Sequence, residues 1–203
     1  TDLDLSLRCA TEAVSAELTV YRNTVRDYIY ADPTGDTDPS SGFAVYRLRQ
    51  ADATLRGVEV SCQAQVSPWL VLGAGADLVR GTNGANGRPL PLMPADRVRF
   101  SARFTGGAFG PLVNSYISGG VRLVAAQDRV EEFETTTPGY ALAELGIGGE
   151  FPTSAGRVTF DLSAENLFDV AYRDHLSRYK SYAQNPGRSV VAKIAVPFLL
   201  VAR

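Results

Sequence analysis

Apolar and polar side chains alternate residue by residue over most of this chain, and that period of two limits what it can fold into. Val14, Ala16, Leu18 and Val20 alternate with Ser15, Glu17, Thr19 and Tyr21. The same holds for Val58 to Val66 against Glu59, Ser61, Gln63 and Gln65, and for Val98, Phe100, Ala102 and Phe104 against Arg97, Arg99, Ser101 and Arg103. It returns at Val158, Phe160, Leu162 and Ala164 against Thr159, Asp161, Ser163 and Glu165, and from Val190 to Phe198. Successive side chains of a strand point to opposite faces, so each run is a strand with one apolar and one polar face. Weaker alternation marks strands over residues 3–8, 70–80, 112–126 and 140–151. No segment sustains a helical period, and 19 glycines and 11 prolines punctuate the chain. The expectation is an all-β fold of about nine strands without a helix.

Connection lengths order those strands. Residues 9–13, 67–69, 106–111 and 152–156 read as short turns, and residues 31–42, 81–95, 127–139 and 169–187 as long polar loops. A short–long–short–long order describes consecutive hairpins, an antiparallel up-and-down meander with every long loop at one end. Transmembrane barrels have this asymmetry, whereas sandwiches mix connection lengths and include crossovers. Asp32-Pro33, Gly35 and Asp38-Pro39 mark the first long loop by their turn chemistry. Phe104, Phe151 and Phe198 fall in the apolar phase at the short-turn ends or the last strand's end, and Trp69 lies in a short turn. Aromatics at one level fit a membrane girdle. Alternation alone fits lipid outside and a wet interior, or the reverse; the loops and aromatics favour lipid outside. Glu17, Glu59, Gln63, Arg97, Arg99, Arg103, Asp161 and Glu165 then face a wet lumen.

Composition removes other classes. With 203 residues, 45% of them hydrophobic and 21% charged, wholesale disorder is excluded. A formal net charge of −2 argues against a nucleic-acid surface built on excess positive charge. The mean hydropathy of −0.06 and the lack of a long apolar run exclude a membrane-spanning helix but not spanning strands. Cys9 and Cys62 are too few for a disulfide framework and lie near no metal-ligand spacing. Lys180 and Lys193 are the only lysines, a bias without a functional reading. The chain opens at Thr1 without a basic or apolar leader, so a signal peptide is expected to have been removed or never to have belonged to this segment.

The stretch Glu165-Asn166-Leu167-Phe168-Asp169-Val170-Ala171-Tyr172, with Pro186-Gly187-Arg188 opening the last strand, resembles the C-terminal signature of TonB-dependent outer-membrane receptors. Arg49 to Glu59, with Gly57 and Glu59, is similar to one of that family's barrel strands; Pro89 to Pro94, Ala126 to Arg129 and Thr137 to Tyr140 resemble its loops. The resemblance covers nearly the whole chain in family order. It implies a barrel of about 22 strands with a plugged lumen, so about nine strands, an odd number, imply a part. Residues 1–203 are therefore expected to be the C-terminal part of such a barrel, without the plug domain and the N-terminal strands. Family members usually end at the terminal aromatic, whereas here Leu199 to Arg203 follow Phe198.

Few residues carry chemistry. His175 is the only histidine, beside Asp174 and Ser177; sequence neighbours on a loop do not make a triad. His175 and Asp174 are candidate contacts to a ligand or metal, with local hydrogen bonding as the other reading. Asp174-His175-Leu176-Ser177-Arg178 resembles family members that handle metal ions or their complexes, zinc among them. Glu131, Glu132 and Glu134, with Asp128, form an acidic run whose hard oxygens could attract a metal ion; the plainer reading is a solvated loop face. Arg97, Arg99 and Arg103 could guide anionic chelates or pair with acids on neighbouring strands. Gly73 to Asp77 falls within a strand with no following helix, which rules out a phosphate loop.

The resemblance implies uptake of a metal or metal complex (ferric siderophore, zinc or haem) across the outer membrane, with energy from the TonB complex acting on a plug. Expected partners are outer-membrane lipid, the TonB complex and the substrate, with no nucleic acid, no resident cofactor and no catalysis. The alternatives are a soluble or surface β-sheet binding module and an outer-membrane enzyme.

Overall fold

The computed structural model describes residues 1–154 and 156–198. Leu199 to Arg203, the segment past the terminal aromatic, lie outside the described residues. Nine strands form one sheet: β1 (Asp2–Ala10), β2 (Val14–Thr37), β3 (Ala44–Ser67), β4 (Leu70–Asn83), β5 (Arg97–Thr105), β6 (Val113–Val124), β7 (Tyr140–Thr153), β8 (Gly156–Glu165) and β9 (Ser189–Ala195). Their spatial order equals their chain order and every pair is antiparallel. The sheet is the expected all-β meander, with its short turns at one end and its long loops at the other.

Register turns nine alternating sequences into two continuous faces, because directly opposed residues share a face. Leu5, Val20, Val58 and Leu78 align across β1 to β4. Ala74, Phe100, Val121 and Ala143 continue the same face, followed by Ile147, Leu162 and Ala192. A one-residue slip at any pair would send a charged row through this surface. Among the described residues no second layer covers it: Leu3 and Ile194 are each 69% exposed, and Leu145 and Ile147 each 42%. Among the described residues the buried apolar side chains are Ala53, Leu90, Ala95 and Leu142, all toward the long-loop end.

The opposite face is polar. Arg8 pairs with Glu17 at 2.9 Å, and Asp77 takes both Arg99 at 3.1 Å and Arg97 at 3.6 Å. Arg103 stacks its guanidinium 3.5 Å from the centre of the Tyr116 ring, whose hydroxyl donates to Asp161. Pairing with neighbouring strands thus accounts for Arg97 and Arg99, whereas Arg103 uses an aromatic face. Side chains from Ser15 on β2 to Glu165 on β8 border one trough of about 870 Å³.

Two boundaries differ from the sequence expectation. Residues 31–42 are not all loop: β2 continues to Thr37 and β3 begins at Ala44, so both strands are 24 residues long, roughly 80 Å. Asp32-Pro33 is compatible with pairing because this hairpin extends beyond β1 and β4, and a proline costs no ladder bond on an edge. A bulge between Val25 and Tyr28, with Asp27 at φ 54° and its amide donating to Asp52, shifts the register there. The last strand ends at Ala195, with Val196 to Phe198 outside it. At the short-turn end Trp69 stacks on Phe104, ring centres 5.9 Å apart, and Phe151 and Phe198 are exposed.

Gly57 shows how tightly the polar face is fitted. A Cβ there would overlap the Tyr21 hydroxyl across the strand pair and lie 2.7 Å from the Leu78 carbonyl oxygen. Gly57→Val is expected to cost about 1–3 kcal/mol, the usual range for overpacking, read as a lower midpoint of heat-induced unfolding in detergent; an unchanged midpoint would contradict this fit.

Candidate functional site

The long connections between β4 and β5, β6 and β7, and β8 and β9 fold over one end of the sheet. The first is seated by Leu90, 1% exposed, over Gly81; a Cβ on Gly81 would lie 2.9 Å from Leu90 Cδ1 and 2.7 Å from Met93 Sδ. Gln127, also 1% exposed, donates from its side-chain amide to the Met93 and Pro94 carbonyls, each at 2.9 Å. Its backbone pairs with that of Thr137, which closes the second loop.

Glu134 is the point where the three loops meet. It accepts hydrogen bonds from the Leu92 amide at 3.0 Å, from His175 Nε2 at 3.0 Å and from Lys180 Nζ at 2.9 Å. The carboxylate is 3% exposed and Lys180 6% by side chain. His175 Nδ1 lies 3.0 Å from Thr137 Oγ1. Donation from Nε2–H to Glu134 leaves Nδ1 as acceptor for the threonine hydroxyl, an assignment made from the partners. Burial pushes the Glu134 carboxyl up, but the bonds from His175 and Lys180, the lysine charge and the Leu92 amide outweigh it and hold the group at about 2.

The hydroxyl–imidazole–carboxylate chain Thr137–His175–Glu134 has the connectivity of a hydrolytic triad. It is closed to substrate, since Thr137 is 4% and His175 3% exposed, and Lys180 already neutralises the carboxylate. Ser177 is absent from this chain of contacts; its hydroxyl accepts the Tyr179 amide. The arrangement is a latch between loops.

The other expected contacts divide. Asp174 accepts from the Tyr140 hydroxyl at 3.1 Å and from the Leu176 amide at 2.9 Å, while its own amide donates to Asn185. Glu131 and Glu132 turn the other way, onto Arg88, whose Nη1 is 3.6 Å from Glu131 and in direct contact with Glu132. They border a cleft of about 430 Å³ against the β2–β3 hairpin, with Tyr30, Asp32, Arg47 and Arg49 opposite. Asp32 holds Arg49 at 2.6 Å. The acidic run is therefore not one solvated face: Glu134 is buried, and Glu131, 12% exposed by side chain, has Oε2 buried without a hydrogen-bond partner. Among the described residues no three His, Cys, Asp or Glu side chains converge as a metal site would require.

Sequence reasoning missed Lys180, Thr137 and Arg88. Their signal was faint: Lys180 is one of only two lysines in an arginine-rich chain. The Glu165 to Tyr172 segment was seen, but its role emerges only in three dimensions. Asn166, 5% exposed and at φ 49°, bonds both ways with Val170, accepting its amide at 2.8 Å and donating to its carbonyl at 2.9 Å. Asp169 accepts the Arg188 amide at 2.8 Å, and a Cβ on Gly187 would lie 2.5 Å from Asp169 Oδ1. The motif thus clamps the start of the last strand.

Glu134→Gln leaves the buried Lys180 ammonium without a counter-charge, an expected loss of about 3–5 kcal/mol, read as faster hydrogen exchange at the Leu92 amide. Because folding lowers the Glu134 pKa to about 2 from 4.5, its contribution is complete above pH 4.5 and fades as pH falls toward 2. Exchange at Leu92 that is insensitive to pH across this window, after correction for intrinsic rates, would contradict the latch.

A family described as TonB dependent receptor-like, beta-barrel, matches residues 2–167. Among solved structures, the chain is similar to the copper transporter OprC, with a TM-score of 0.79 and 20% identity over 95% of this chain and 30% of that one. It is similar to BauA, the ferric preacinetobactin receptor from Acinetobacter baumannii, with a TM-score of 0.72 and 18% identity over 95% and 28% of the two chains. The FrpB iron transporter from Neisseria meningitidis gives 0.69 and 13% identity over 95% and 30%. The chain thus spans about 30% of the length of the structures it matches. The nine-stranded meander, its two-faced register and the family match over residues 2–167 agree: this chain belongs to the TonB-dependent receptor β-barrel family, whose members are outer-membrane proteins.

Proposed function

We propose that residues 1–203 form the C-terminal sector of an outer-membrane receptor barrel that imports a metal or metal complex. The observation that carries this reading is the uncovered apolar face spanning nine strands, backed by a polar trough. An open sheet leaves unpaired backbone at β1 and β9, which cannot face lipid; further strands, N-terminal to this segment, would close the wall. A plug domain, also N-terminal, would receive energy from the TonB complex.

The substrate class is a ferric siderophore first, then zinc or haem; copper joins them because one similar structure is a copper transporter. Glu131 and Glu132 line the cleft beside the long hairpin and are the direct substrate contacts in this reading. Glu134, His175 and Asp174 hold the loops that present them. Uptake of labelled ferric siderophore, haem, zinc or copper by cells carrying the full-length receptor tests the reading. Loss of one uptake activity on deletion of the receptor, and on deletion of TonB, is expected.

Lipid contact has its own signature. Leu162→Arg or Ile194→Arg should cost about 2–4 kcal/mol near the bilayer midplane and Ser163→Arg little, measured by refolding into vesicles. Equal tolerance on both faces, or full-length protein that stays monomeric and folded without detergent, would overturn the membrane reading and favour a soluble binding module.

A further inference from the structure

The apolar face does not fade evenly into the long loops; it stops at a row of arginines. Arg22 stands opposite Arg56, and Arg56 opposite Arg80, so three guanidinium side chains leave adjacent strands in register on the same face. One step below, on that face, lie Val20, Val58 and Leu78, which belong to the apolar band. The row therefore sits at the boundary between the lipid-facing surface and the loop end.

Like charges directly opposed on a sheet destabilise it. Arg80 has relief from Asp96, which it grips with two bonds of 2.5 and 2.6 Å; Asp96 also takes Arg129 at 3.4 Å. Among the described residues Arg22 and Arg56 form no ion pair, and both are exposed. Arg80 and Arg129 thus share one aspartate while Arg22 and Arg56 have none among the described residues, and the row carries an unbalanced positive charge where the apolar band ends.

We propose that Arg22, Arg56 and Arg80 form a docking site for a multiply phosphorylated lipid headgroup of the surrounding leaflet. This rests on the lipid-facing reading above and extends it from a generic bilayer contact to a specific one. Three lines of chemistry select that occupant. Guanidinium groups bind phosphate oxygens in pairs, and their long stems lie along apolar surface while the charge stays at the water boundary. The site is continuous with the apolar band, so acyl chains can lie on Val20, Val58 and Leu78 while the headgroup meets the arginines. The row extends across three strands, about 10 Å, a span suited to more than one phosphate. A headgroup with two phosphates would also offset the repulsion between Arg22 and Arg56, stabilising the β2–β3 register just below the long hairpin.

The test uses the full-length receptor in detergent micelles doped with diphosphorylated lipid A, with singly phosphorylated phosphatidylglycerol, or with added inorganic phosphate, read by native mass spectrometry. The wild type is expected to retain diphosphorylated lipid A, and R22A/R56A to lose retention by about tenfold or more, as removal of two arginines near an anionic headgroup implies. R22K/R56K keeps charge but not paired donors and should fall between them. Equal retention by wild type and R22A/R56A overturns the proposal, as does retention of phosphatidylglycerol equal to that of lipid A, or displacement of the lipid by millimolar inorganic phosphate. Insertion is scored separately by the heat-dependent shift in electrophoretic mobility. Variants that insert normally yet bind lipid A unchanged sink only the docking site, whereas a wild type that never inserts sinks the membrane reading with it.

Discussion

Cross-strand register is the constraint on which everything else depends. Among the described residues this sheet has no second layer to bury its greasy side, so the usual source of stability in a small domain is missing. What organises it instead is nine strands hydrogen-bonded in chain order, each placing its apolar residues beside those of its neighbours. Backbone satisfaction is compulsory in hydrocarbon and side-chain burial is provided by lipid, so a single-layer wall suits that solvent. The same register assembles Asp77 with Arg97 and Arg99, and Asp161 with Tyr116, on the wet side.

Among the described residues conventional protein packing returns only at the long-loop end of the sheet. Leu90, Gln127, Thr137, His175 and Lys180 are all nearly inaccessible, and they belong to loops or to the bridges between them. One carboxylate, Glu134, ties three connections at once. A latch with a charged centre is costly to desolvate and costly to break. It keeps the surface bearing Glu131 and Glu132 in a fixed relation to the hairpin opposite.

The strands, their order and the two faces were legible in the sequence because period two is a local signal read within single segments. Val58 to Val66 or Val158 to Ala164 need no partner to be recognised. The β2–β3 extension was misread because Asp32-Pro33 and Gly35 carry turn chemistry, while the pairing that overrides them comes from a strand about fifteen residues away. His175 and Glu134 were noticed as isolated residue types, but 41 positions separate them and nothing in the alternation announces their contact. Lys180 stood out only as one of two lysines, and its contact with Glu134 was hidden for the same reason. The Asn166–Asp169 segment was recognised through family resemblance, and the structure supplies its physical meaning as a clamp on Arg188.

The irregularity at Asp27 separates two kinds of freedom. Below it, every residue of the β2–β3 pair is committed to one side of the wall, and a single inserted residue would transpose oil and water. Above it, among the described residues, the two arms of the hairpin form no ladder with any other strand, although the Tyr30 hydroxyl accepts from Asn83 at the end of β4 at 2.8 Å, and the parity of β2 has already been reset once. Length and composition can therefore drift at the tip without disturbing the sheet below the bulge. A barrel built this way can retool its outermost reach, one hairpin at a time, while its wall stays as it was.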